Sequence, residues 1–195
     1  ILVNAVNREV PRVVNGLKVI PYKGVNKHKP EGYKHAPRIS TCIDFPSDGN
    51  KQVSNLKDAL IKSGLKDGMT ISTHHHFRNG DLIANQVFKI ASEFGIKDLI
   101  WFPSASFECH SELIKYLDNG TIHHIEGSLN GTLGHYVSQG KMKGLGVLRS
   151  HGGRYQAVQD GEVKIDIAVI AAPTADAFGN ANGVNGPSAC GLLGF

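Results

Sequence analysis

Three adjacent histidines, His74, His75 and His76, stand in the run HHHFRNGD that closes at Asp81. Imidazoles ligate metals, shuttle protons and bind anions. Neighbouring side chains of an extended stretch point to opposite sides, so only His74 and His76 could share one ion. Three readings stay open: structural hydrogen bonding, a metal site, and an anion or acyl-acceptor site using His76 and Arg78. Arg78 offers a planar fork suited to a carboxylate, Asn79 and Gly80 can supply a turn, and Asp81 can cap a following helix.

Other runs carry weaker signals. The stretch GSLNGTLG at 127–134, with Gly127, Asn130 and Gly131, has the glycine content of a phosphate cradle. It lacks the GK[ST] ending of a nucleotide loop and the GxGxxG spacing. Lys141, Lys143, Arg149 and Arg154 follow, with His151-Gly152-Gly153 among them; they suit a pyrophosphate or simply a solvated surface. Near the end, PTADAFGNANG runs into a turn holding Asp176, Gly179 and Asn180, and GPSACG follows. Ser104, Ser106, Cys109 and His110 invite a nucleophile reading, but no GxSxG elbow supports it.

These runs need elements to hold them. Apolar periodicity predicts a helix over 54–63, a strand over 69–73, a helix over 81–94 and a strand over 99–102. A helix over 111–117, a strand over 121–125, a helix from 136 to 141 and a strand over 146–149 continue the alternation. The apolar run 165–172 reads as a parallel strand buried on both faces. Alternation of this kind predicts an α/β fold with a doubly wound, mainly parallel sheet and Rossmann-like layers, its ligands bound beyond the carboxyl ends of the strands. HHHFRNGD then lies where such a sheet places its ligand-binding groups.

Composition sets the frame. With 41% hydrophobic and 19% charged residues, the 195-residue chain has the make-up of a globular protein rather than a disordered one. No apolar run approaches the roughly 20 residues of a membrane span, so no membrane partner is expected. Cys42, Cys109 and Cys190 form no CxxC pair, which fits a cytoplasmic location better than a disulfide framework. The overall charge is +4, yet residues 8–38 alone carry eight Lys or Arg against two Glu. Residues 1–50 therefore read as a basic arm or capping segment and 51–195 as a catalytic-type domain, the whole being expected to be a piece of a longer polypeptide. The arm could steer an acidic partner; no nucleic-acid-binding motif accompanies it.

Taken together, HHHFRNGD, FPSAS, IEGSLNG and PTADAFGNANGVNGPSACG resemble the alpha subunit of citrate lyase, its citrate CoA-transferase component, across roughly residues 15–195. The resemblance implies a coenzyme A transferase-like fold and a complex with a lyase beta subunit and an acyl carrier gamma subunit. It implies that acetyl on the carrier's thioester is exchanged for citrate, giving citryl-carrier and free acetate. The carrier's prosthetic group would be a phosphoribosyl dephospho-coenzyme A, a coenzyme A-like thioester, with no metal in this subunit. Citrate would meet His74, His76, Arg78 and Asn79; the thioester would meet Gly127, Asn130, Gly131, Gly179 and Asn180, where backbone N–H groups could face the developing oxyanion. No catalytic residue is assigned: the resemblance puts it in the absent part of the longer chain, and nothing in the sequence singles out Glu108 or Glu126. The competing reading is a non-catalytic carboxylate or sugar-phosphate sensor of the same fold.

Overall fold

The computed structural model of the protein describes residues 1–24, 49–74 and 78–186. The amino-terminal residues form two antiparallel ribbons, β1 (Leu2–Val3) with β2 (Glu9–Val10) and β3 (Val13–Val14) with β4 (Leu17–Lys18). Such short ribbons bury little: Ile1, Val3, Val6, Val13, Leu17 and Ile20 stay exposed.

The regular part begins at α1 (Leu56–Lys62), where the Asn55 side chain accepts the N–H of Asp58 as an N-cap. Then follow β5 (Thr70–Thr73), α2 (Ile83–Glu93) and β6 (Leu99–Pro103). A 3₁₀ segment (Glu108–Leu113) continues into α3 (Ile114–Asp118), and β7 (Ile122–Ile125), α4 (Gly131–Ser138), α5 (His151–Gln159) and β8 (Ile167–Val169) complete the layer. A small hairpin, β9 (Thr174–Ala175) with β10 (Ala181–Asn182), comes last.

Four strands pair in parallel in the order β7-β6-β5-β8. Chain order runs outward from β5 through β6 to β7, then returns to β8 on the other side of β5. That reversal is a topological switch point, where open α/β sheets bind ligands. Strand alternation turns Leu99 and Trp101 to one face and Phe102 to the other. On the first face Ile71, Trp101, Ile122 and Ile125 meet Leu60 of α1, Val87 and Phe88 of α2, Leu117 of α3 and Leu133 of α4. Phe88 and Trp101 pack edge to face at 6.0 Å. On the second face Phe102 meets Ala157 of α5 and Val163. With helices on both faces, the sheet is doubly wound, as its sequence predicts.

Several local expectations fail for physical reasons. The helix expected from 136 begins at Gly131 instead, inside the presumed glycine loop, because the 104–109 segment holds its first turn. Residues 146–149 make only an isolated parallel bridge, Glu126 to Val147, rather than a strand. The 151–159 stretch, read for its glycines and charges, is helical, with Ser150 accepting the N–H of Gly153 as its cap. β8 is shorter than 165–172 and covered on one face only, with Ala168 exposed and Ile170 54% exposed. It is the edge strand of the described sheet, which explains why its apolar run does not mean burial on both sides.

Candidate functional site

The carboxyl ends of β5, β6 and β7 each lead into one of the singled-out runs. After β5, His74 is followed by a turn of 3₁₀ helix, Arg78–Gly80, and His75 and His76 lie outside the described residues. Arg78 is exposed, has φ +51°, and its guanidinium makes no hydrogen bond or ion pair among the described residues. Among the described residues the other non-glycine positive-φ positions are Asn7, Asn15 and Asp98, types that tolerate the left-handed region. In Arg78 it is strain of about 1 kcal/mol. Asp81, 4% exposed, accepts the N–H of Ile83, the first residue of α2, but it is not the expected cap: Leu82 holds the N-cap position and makes no side-chain cap.

The loop after β6 clamps this turn. The backbone N–H of Cys109 donates to Asn79 Oδ1 at 2.9 Å, and its thiol donates to the Asp81 carbonyl at 3.2 Å. Burial first, and the Asp81 charge second, push the Cys109 thiol above its ordinary value, so it is a poor nucleophile. The Nδ1 atom of His110 accepts the N–H of Phe107 at 2.9 Å, its ring lies edge-on to Trp101, and burial lowers its pKa. A Cys109–His110 pair for catalysis is thereby disfavoured: the thiol is held as a thiol and the imidazole faces the core.

The same loop closes the glycine run after β7. Ser106 Oγ receives the Asn130 N–H at 2.8 Å, and Asn130 Nδ2 returns a bond to the Ser106 carbonyl at 3.0 Å. The Glu108 carboxylate accepts from the N–H and hydroxyl of Thr132, and these bonds lower its pKa. A Cβ placed on Gly131 would lie 2.6 Å from Glu108 Oε2. The chain's own anion thus fills the place at the amino terminus of α4 that a phosphate would take. Gly127 serves close approach, since a Cβ there would lie 2.3 Å from the Pro103 carbonyl oxygen. Beside this loop a cavity of about 600 Å³ opens between α4 and the arm, lined by Asn15, Leu129, Asn130, Gly131, Val137 and Leu145 among others.

The expected basic cluster does not converge. Arg149 pairs with Glu126 at 3.1 Å and Glu162 at 3.5 Å, while Lys141 lies over the Tyr136 ring. Glu126 also meets His124 at 3.2 Å; the His124 bond, then Arg149, hold its carboxyl below the usual range despite burial. Gly179 and Asn180 sit in a separate turn, where Asp176 accepts the N–H groups of Phe178 and Asn180 and the Gly179 N–H goes to the Asp176 carbonyl. Both of their N–H groups are therefore engaged within that turn rather than turned toward a ligand. Among the described residues no group of three or more His, Cys, Asp or Glu is placed to hold a metal, and no helix is long and apolar enough to cross a membrane.

Residues 49–195 match the family model described as "Citrate lyase, alpha subunit (CitF)". The chain belongs to the citrate lyase alpha-subunit family. It is 42% identical over 164 residues to the citrate lyase alpha chain of Escherichia coli K12, covering 84% of this chain and 32% of that one. The Klebsiella pneumoniae alpha chain is 40% identical over 182 residues, 93% of this chain and 34% of the relative. A Streptococcus mutans crystal structure, assigned as the alpha subunit of citrate lyase and solved in complex with citrate, superposes with a TM-score of 0.77 at 37% identity. That match covers 98% of this chain and 37% of the other. The chain thus spans about a third of the length of its curated relatives.

Within this citrate lyase alpha-family chain the structure joins Arg78 and Asn79 to Cys109, and Asn130 and Gly131 to Ser106 and Glu108, as one layer of interlocked loops. Arg154, read from the sequence as a pyrophosphate contact or a solvated surface charge, is instead buried in the first turns of α5 at 5% exposure. The signal for the helix that buries it is Ser150, a good N-cap residue.

Proposed function

We propose that the chain acts in the citrate CoA-transferase reaction of citrate lyase: acetyl on an acyl-carrier thioester is exchanged for citrate, giving citryl-carrier and acetate. The observation that carries this reading is the interlocked loop layer at the carboxyl ends of β5, β6 and β7, in a fold shared with a relative solved around citrate. A citrate carboxylate oxygen would attack the acetyl carbonyl and release the carrier thiolate; the thiolate would then attack the citryl carbonyl of the resulting mixed anhydride, so that the acetyl–sulfur bond breaks, a citryl–sulfur bond forms and acetate leaves.

Arg78, strained, exposed and without a counter-charge among the described residues, would bind a citrate carboxylate as a planar fork, with His74, His76 and Asn79 beside it. The cavity bordered by Asn130 and Gly131 would take the uncharged, thioester-bearing arm of the carrier's phosphoribosyl dephospho-coenzyme A. Its phosphates would lie elsewhere, because the Glu108 carboxylate stands at the amino end of α4. Gly127 shapes that loop, and Gly179 and Asn180 would border the thioester from their own turn. The expected partners are the lyase beta subunit and the acyl carrier gamma subunit, in the cytoplasm.

Acetate release from acetyl-CoA, used as a carrier surrogate, tests the reading in the intact polypeptide. Citrate-dependent acetate is the expected result. Citrate binding with no acetate from either acetyl-CoA or the acetyl-carrier would replace the transferase with the sensor reading.

A further inference from the structure

Arg154 is a buried cation that the loops described above do not use. Its Nη1 donates to the Pro103 carbonyl at 2.7 Å, and its Nη2 donates to the Phe102 carbonyl at 2.8 Å and to Ser72 Oγ at 2.9 Å. The guanidinium lies 3.8 Å from the centre of the Phe102 ring. It therefore spans the carboxyl ends of β5 and β6, and the amino end of α5 lies at that same edge of the sheet. No carboxylate among the described residues pairs with it, and burial lowers its pKa to about 10.

An ion taken out of water loses several kcal/mol of solvation. Three neutral acceptors and an aromatic face offset part of that loss but leave the charge uncancelled. Those acceptors occupy three of the five N–H bonds of the fork. In a low-dielectric surrounding, the remaining field reaches further than it would in water. A second positive element points the same way: α5 presents its amino end here, and a Cβ on its second residue, Gly152, would meet nothing within 4 Å. The neighbouring position across the switch point is open as well, since Ser72 pairs with Ala168 of β8 and Ala168 is exposed.

We propose that Arg154, with the amino-terminal turn of α5, is a fixed positive pole at the carboxyl ends of β5 and β6 and selects an oxyanion there, beside the switch point of the sheet. The oxyanion is a substrate carboxylate or a phosphate of the thioester carrier; only the first choice rests on the citrate reading.

The test is an NMR titration of the intact protein labelled with ¹⁵N-arginine, following the Arg154 Nε–H signal, which burial should keep in slow exchange. Citrate, inorganic phosphate and glycerol are added in turn, with calorimetry in parallel. The pole predicts that citrate or phosphate moves the signal to saturation while glycerol leaves it in place. Arg154→Met, which keeps an apolar stem against Phe102, should weaken binding of the active anion at least ~10-fold, and Arg154→Lys should weaken it less. Should either variant fail to fold, the wild-type titration still decides. Phosphate moving the signal without citrate binding would keep the pole and remove citrate. Citrate binding with the signal unmoved, or unchanged affinity in a folded Arg154→Met, would remove the pole and keep citrate. A signal moved by neither anion also overturns the pole.

Discussion

Arg78 carries two opposed demands. Its φ of +51° is a conformation that glycine adopts freely and alanine does not. Glycine normally loses to alanine through unfolded-chain entropy, so the order of the two variants reveals whether strain is stored here. Arg78→Gly should be more stable than Arg78→Ala by about 1 kcal/mol in urea unfolding, while both lose citrate use more than thioester use. Equal loss of both substrates would leave Arg78 with a purely structural part. His110 makes a pH prediction of its own. It faces Trp101 of β6 and Phe107, with the Asp81 carboxylate at the start of α2, and burial keeps its pKa below 6.5. A group with a lowered basic pKa binds more protons when unfolded, so its contribution is full above pH 6.5 and declines as pH falls below that value. The drop in Tm from about pH 7.5 to about pH 5.5 should shrink in His110→Asn, whose amide oxygen can still accept the Phe107 N–H. An unchanged drop would place the acid sensitivity elsewhere.

At the scale of elements, what holds the site is one loop serving two others. Ser106 is fully buried and both receives the Asn130 N–H and donates to the Asn130 carbonyl at 3.2 Å. Ser106→Ala should reduce stability by about 1 kcal/mol and, more tellingly, speed amide hydrogen exchange across 127–132 without changing it in β5. Protection at Asn130 as strong as in the wild type would show that the clamp lies in Glu108 and Thr132 instead. Much of this layer was legible beforehand. The apolar spacing of 81–94 and the run 99–102 anticipate α2 and β6 to within two residues, and Asp81 accepts the first N–H of α2 although Leu82 holds the N-cap position. The misses share a cause. Gly131 and Gly134 in α4, and Gly152 and Gly153 in α5, argue against helix by propensity, and it is tertiary contact with 104–109 and with Phe102 that overrides them. Arg154 was left between a phosphate contact and a surface charge for the same reason, since only the strand order places it beneath two strand ends.

Across the whole molecule, charge is divided as unevenly as structure. The stretch 8–38 holds a net +6 within a chain of +4, so the remainder is slightly acidic. What is described of this stretch touches the domain lightly: Asn15 Nδ2 donates to the Met142 carbonyl at 2.6 Å, and the ribbons leave most of their apolar side chains exposed. Residues 1–24, so weakly packed, contribute little to the stability of the sheet, which leaves their charge as the property available to a partner. Removing residues 1–24 should therefore leave the melting of the remaining chain nearly unchanged, while weakening association with the proposed acyl carrier and flattening its salt dependence. Between about 50 and 300 mM salt the Debye length falls through about 10 Å, its value at 0.1 M, so that contacts longer than this become largely screened. Carrier affinity should fall over that range in the intact chain through a slower association rate. An affinity indifferent to salt would assign carrier recognition to the cavity beside α4, where the contacts are apolar and short, and would leave the basic stretch without a part in the exchange.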